Sequence, residues 1–195
     1  MRPERSAAED AAFRKELVAL IPHLRAFART LCGNPTAADD LAQDAMLKAW
    51  DARASFQMGT NMKAWTFMIL RNQFYSEKRR SWRQSQLDQE AAERTLVAVD
   101  DPEAPVALDE LRQGLAMLPA EQREALILVG AGGFAYEEAA EICGCAVGTV
   151  KSRVSRARRA LHAILDDGSY ERDGAAAGDA MRSILADAER LSTVR

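Results

Sequence analysis

The chain has 195 residues, 48% of them hydrophobic and 28% charged, with a formal net charge of −3. That is the composition of a globular protein with one domain or two small ones, which sets aside disordered and fibrous classes. No run approaches the ~18 consecutive apolar residues of a membrane span, and the polar start MRPERSAAEDAAFRKE has no apolar stretch of signal-peptide length, so a cytoplasmic protein without membrane insertion is expected.

Taken in order, the pattern predicts helices and few strands, because alanine, leucine, glutamate and arginine dominate. Phe13, Leu17, Leu20, Ile21, Leu24, Phe27 and Leu31 recur at helical spacing, with Pro22 marking a kink in one helix over 13–31. Gly33-Asn34-Pro35 breaks that pattern. Thr36 then reads as an N-cap, with Asp39 three residues on as a capping-box variant, opening a helix to about Trp50. Residues 56–61 read as a loop, and a third helix covers roughly 62–81. At that spacing Trp65 belongs to the core before any stacking platform. Residues 82–107 lose periodicity and contain Pro102 and Pro105, the pattern of a linker. A second helical set starts near Leu108, broken at Leu118-Pro119 and again at residues 130–133. A short helix over 136–142, a turn at 143–145 and a helix to about Leu165 follow. The tail, 166–195, is rich in Gly, Ala and Asp, and its end has amphipathic spacing through Met181, Ile184, Leu185 and Leu191. The expected fold class is all-α, two small helical domains joined by a flexible acidic linker.

Charge is segregated along this order. Residues 62–83 hold six cations against one acid, and 149–165 hold five cations and no acid. Between them, 86–110 hold eight acids against one arginine. Distribution, more than net charge, decides whether a protein can meet nucleic acid. The second basic stretch sits in FAYEEAAEICGCAVGTVKSRVSRARRAL, which has the shape of a helix-turn-helix. Val147, Val150, Val154, Ala157 and Leu161 supply a buried face, while Lys151, Ser152, Arg153, Ser155, Arg156 and Arg159 lie on or beside the other. Arg and Lys reach guanine edges or phosphates, and Ser donates to phosphate. A solvated basic face would need no such turn upstream.

These residues, LPAEQREALILVGAGGFAYEEAAEICGCAVGTVKSRVSRARRAL, closely resemble region 4 of extracytoplasmic-function (ECF) sigma factors. Upstream, DDLAQDAMLKAWD resembles their region 2.2, and GTNMKAWTFMILRNQFYSEKRR their regions 2.3 and 2.4. The wording most resembles the alphaproteobacterial general-stress group. The resemblance implies a region 2 domain over 10–83, a linker over 84–107, a region 4 domain over 108–165, and an extension of unknown role over 166–195. It implies that Asp39, Asp40, Gln43, Asp44 and Lys48 dock on the β′ coiled coil of core RNA polymerase, with the β flap as a further contact. It implies contact with −10 promoter DNA by Thr60, Asn61, Lys63, Arg71, Asn72, Lys78, Arg79 and Arg80, and with −35 DNA by Thr149, Lys151, Ser152, Arg153, Ser155, Arg156 and Arg159. Members of the stress group are held by a small anti-sigma factor, a further expected partner. The acidic linker reads equally as an occupant of a nucleic-acid channel or as a solvated tether.

Other classes fit less well. Cys32, Cys143 and Cys145 form an odd set, and Cys143 and Cys145 flank one glycine, so neither a disulfide framework nor a four-ligand zinc site is expected. Residues 130–133 are glycine-rich, but no strand precedes them and no GK[ST] follows, which argues against a phosphate loop. With only His23 and His162, no catalytic constellation forms, and neither enzyme activity nor a cofactor is expected. A DNA-binding regulator that never meets polymerase would leave the 39–48 patch unexplained. A sigma mimic would not need Lys151, Arg153 and Arg156.

Overall fold

The computed structural model describes residues 6–85 and 106–166. The connector expected over 84–107 falls mostly outside them, as does the amphipathic segment near the C-terminus. The described residues are helical, with no strand among them. The chain divides into two compact units between Val97 and Ala98.

The first unit contains α1 (Ala7–Ala19), α2 (Ile21–Cys32), α3 (Pro35–Asp51), a 3-10 turn (Ala52–Ser55) and α4 (Met62–Ser85). A capping box starts α1: the Glu9 amide donates to Ser6 Oγ, and the Ser6 amide to Glu9 Oε2. The single kinked helix expected over 13–31 is two helices meeting at Leu20. Pro22 lies in the first turn of α2, where its missing N–H breaks no helical bond. The expected cap at Thr36 is likewise corrected. Asn34 caps α3, its Oδ1 accepting from the amides of Thr36 at 2.9 Å and Ala37 at 3.2 Å. Pro35 occupies the first helical position, so Thr36 is already inside the helix. Asp39, released from capping, pairs with Arg25 Nε at 3.2 Å.

An aromatic cluster fills one end of this unit. The Phe13 ring is completely buried and meets Trp50, Phe56 and Trp65 at centroid distances of 6.1, 5.7 and 6.1 Å. Leu17, Ala49 and Met62 complete the cluster. Trp65 is therefore core, as its spacing suggests. Further along, Phe27 of α2 stacks on Phe67 of α4 at 4.8 Å, and Leu24, Leu41 and Leu70 are buried. Each such side chain stabilises the unit by roughly 1.5–3 kcal/mol when fully buried. The alanines of α3 at 38, 42, 45 and 49 are buried as well. That small-residue face packs against both α2 and α4, leaving the opposite face of α3 to solvent.

The second unit contains α5 (Val106–Met117), α6 (Ala120–Gly130), α7 (Tyr136–Cys143) and α8 (Val147–Asp166). The helix α8 packs against the other three. Arg123 of α6 is buried and donates from Nη1 to the Ala116 carbonyl at 3.1 Å, satisfying the end of α5. After α6 the chain turns tightly. A side chain on Gly132 would place Cβ 2.6 Å from the Leu128 carbonyl oxygen, a contact that neither atom can easily relieve. The turn between α7 and α8 rests on Gly144, left-handed at φ 63°. The Cys145 amide reaches back to the Ala140 carbonyl at 3.1 Å and the Gly144 amide to Glu141 at 3.2 Å, closing a Schellman motif. A short helix, this left-handed turn and a longer helix make the helix-turn-helix expected from the sequence.

Candidate nucleic-acid and partner interfaces

On α8, Val150, Val154, Ala157 and Leu161 are buried, and Val147 is only partly so. The opposite side exposes Gly148, Lys151, Ser155, Arg156, Arg158 and Arg159. This is a cationic face with short residues near its N-terminal end, where a helix can approach base edges without steric conflict. Lys151 reaches over the Tyr136 ring at 5.7 Å. Ser152 is half-buried, its hydroxyl donating to the Thr149 carbonyl at 2.9 Å. Arg153 has turned inward: its side chain is 18% exposed, with Nη2 paired to Glu121 Oε2 of α6 and Nη1 near Cys145 Sγ at 3.7 Å. The seven −35 candidates therefore divide. Lys151, Ser155, Arg156 and Arg159 face solvent, Thr149 and Ser152 are partly covered, and Arg153 clasps α8 to α6.

On the first unit, Asp40, Gln43, Asp44 and Lys48 are exposed along one face of α3, with Leu47 at 63% exposure among them. Asp39 stands apart at the edge, partly covered and paired with Arg25. The arrangement is an acid-and-amide patch around one apolar residue, suited to a basic partner helix. Beneath it lies Gln73 of α4, which is buried. Its Nε2 donates to Asp44 Oδ2 at 2.9 Å and to Glu77 Oε1 at 2.8 Å. The partly buried Cys32 thiol nearby is pushed up to about 11, by burial first and then by the Glu77 charge.

The loop before α4 is organised by its own polar groups. Thr60 Oγ1 donates to the Gln57 carbonyl at 2.7 Å, Gly59 is left-handed, and Asn61 Oδ1 accepts from the Ala64 amide at 3.0 Å. Asn61 is thus the cap of α4 as well as a −10 candidate. Lys63 is half-buried near His23 of α2, whose imidazole is held below its usual value by burial and then by the Lys63 charge. Arg71 lies over the Tyr75 ring at 4.6 Å. Asn72, Lys78, Arg79 and Arg80 are exposed on α4. The candidates follow both the loop and the helix, with Thr60 and Asn61 at one end and Lys78 to Arg80 at the other.

Family models for sigma-70 region 2 and sigma-70 region 4 match residues 17–84 and 108–161. The ECF RNA polymerase sigma factor EcfG of Rhodopseudomonas palustris is 50% identical over 152 residues, which span 78% of this chain and 84% of that protein. The chain belongs to the ECF sigma factors of the sigma-70 family. The ECF sigma-E factor of Escherichia coli is 34% identical over 135 residues, covering 63% of this chain and 70% of that one. Among solved structures, the sigma factor RpoE of Bartonella quintana, in complex with the anti-sigma factor NepR, matches with a TM-score of 0.72 and 46% identity. That match covers 83% of this chain and 99% of the other. CnrH in complex with the cytosolic domain of CnrY matches at 0.59 and 26%, covering 84% and 96%.

As a sigma factor, the protein is a regulatory DNA-binding subunit that acts in transcription initiation. Its structure adds residues that sequence reasoning passed over. Arg158 is exposed on α8 and lies within the basic stretch, yet it is not among the seven −35 candidates. Glu121 and Gln73 come from other helices, and only the tertiary fold brings them to Arg153 and Asp44. No spacing rule reaches across 32 or 29 residues to find them. No described helix is long and apolar enough to cross a membrane.

Proposed function

We propose that this sigma factor, working in the cytoplasm, docks on the β′ coiled coil of core RNA polymerase through Asp40, Gln43, Asp44, Leu47 and Lys48 of α3. The same complex reads the −10 element with the 56–63 loop and the exposed side of α4, and the −35 element with the solvent face of α8. The observation that carries this reading is the sorting of α8, whose one face is apolar and buried and whose other is cationic and exposed. A helix that served only as scaffold would not need five basic residues without one acid over 149–165. The second support is the exposed patch on α3, which a self-sufficient repressor would not require. Similarity to sigma factors solved with anti-sigma proteins, together with the resemblance to the alphaproteobacterial general-stress group, supports control by a small anti-sigma factor and a stress-response regulon.

The test is reconstitution. Purified protein is expected to co-elute with core polymerase and to start transcripts from a cognate promoter. Asp44→Arg, alone or with Asp40→Arg, is expected to lose competition for core enzyme against another sigma factor while keeping its helical content. Charge reversal sets like charges face to face, a cost of roughly several kcal/mol where contacts are close. Unchanged affinity in a folded variant would remove α3 as the docking face.

A further inference from the structure

The exposed carboxylate of Asp44 is held by a side chain that no partner can reach. Gln73 is 5% exposed, and both bonds of its Nε2 go to carboxylates, Asp44 Oδ2 at 2.9 Å and Glu77 Oε1 at 2.8 Å. An amide NH2 has two hydrogens to give, so this one is fully used. Hydrogen bonds to an ionised acceptor are stronger than neutral ones. Here they restrain an aspartate that would otherwise sample several rotamers on a helix surface. A carboxylate fixed before the encounter avoids the entropy of ordering it during binding. The fixing group also lies on a different helix from Asp44, so the orientation of the α3 patch depends on the register of α4.

We propose that Gln73 is a positioning residue for core polymerase binding, acting through Asp44. The inference rests on the docking reading of α3 given above. Its specific content is a coupling: Gln73 matters for the partner only while Asp44 is present. Glu77 shares the amide but is not needed for it, because each carboxylate takes its own hydrogen.

A double-mutant cycle on the full-length protein tests this, reading affinity for core polymerase by competition and fold by thermal melting. Gln73→Met keeps the length and removes the donors. It is expected to weaken binding roughly fivefold or more, the scale of a lost charge-assisted hydrogen bond. In the Asp44→Ala background the same change is expected to alter affinity less than twofold, whereas a merely structural role would add its full effect. Glu77→Gln, which leaves the bond from Gln73 to Asp44 in place, is expected to bind like the parent. If Asp44→Ala weakens binding but Gln73→Met does not, or if the two effects add, the positioning role is overturned and the docking face stands. If Asp44→Ala itself binds like the parent, the docking reading falls and takes this inference with it. Should Gln73→Met fail to fold, Gln73→Leu also removes both N–H donors and runs the same cycle, with the same outcomes deciding.

Discussion

Arg153 and Arg156 lie three residues apart on α8 and have opposite surroundings. Arg156 is exposed, while Arg153 is clasped by Glu121 and sits against Cys145. Arg153→Ala is therefore expected to act on stability, lowering it by about 1 kcal/mol because the ion pair is half in solvent on the Glu121 side. Glu121→Gln is expected to give a smaller loss in the same direction. Arg156→Ala is expected to leave the melting curve alone and to weaken −35 DNA binding by about 1–3 kcal/mol. If Arg156 meets a phosphate, the slope of log affinity against log salt falls by about one on its removal. For Arg153→Ala the slope is expected to stay as in the parent. Melting curves and salt titrations of the two variants separate the roles, and a changed slope in Arg153→Ala would return that residue to the DNA surface. The motif alone ranks both arginines as DNA residues, because it carries their identity and spacing but not the long-range contact that turns one of them inward.

At the scale of elements, α2 carries a titratable group under the influence of a cation on α4. His23 on α2 has its pKa held below 6.5, by burial first and by Lys63 at the start of α4 second. A histidine depressed in the folded state binds its proton later than the unfolded chain does, as pH falls. The stability it contributes is complete above pH 6.5 and is lost as pH falls from there through the lower folded value. The melting temperature of the first unit is expected to drop between pH 7.5 and 5.5. His23→Gln is expected to flatten that drop, and Lys63→Met to reduce it in part, since burial is the larger cause. An unchanged pH profile in His23→Gln would show that other groups govern the acid limb. The helices themselves were mostly legible in the sequence: the apolar spacing of α8, the break at Leu118-Pro119 and the glycine turns all appear where their chemistry places them. Several boundaries were not: α1 opens at Ala7, ahead of Phe13, and α4 runs to Ser85, into the stretch read as a linker. Pro22, expected to kink one helix, stands in the first turn of a second, because the apolar spacing runs unbroken through both. The cap expected at Thr36 lies two residues earlier at Asn34, because Pro35 fixes the first helical φ.

Across the whole molecule, the two units are built round cores of different composition. The first is built round aromatic rings, with Phe13, Phe56, Trp50 and Trp65 together, whereas the second is mainly aliphatic, with Leu128, Ile142, Val150 and Val154 beside the buried Phe134. The division into a region 2-like and a region 4-like half follows from two separate motifs in one chain, and a single helix-turn-helix would not have carried it. The aromatic cluster has an optical consequence. All three tryptophans of the chain, Trp50, Trp65 and Trp82, belong to the first unit. Trp50 and Trp65 are partly buried against its core and Trp82 is 67% exposed on α4. Intrinsic tryptophan emission therefore watches one half of the molecule and is blind to unfolding of the other, while far-ultraviolet ellipticity sums both. Recorded on the same sample during heating, the two signals are expected to diverge if the halves melt independently and to superimpose if they melt as one. A binding partner that grips both halves is expected to draw the two curves together, so the protein carries its own fluorescent reporter of whether its halves are coupled.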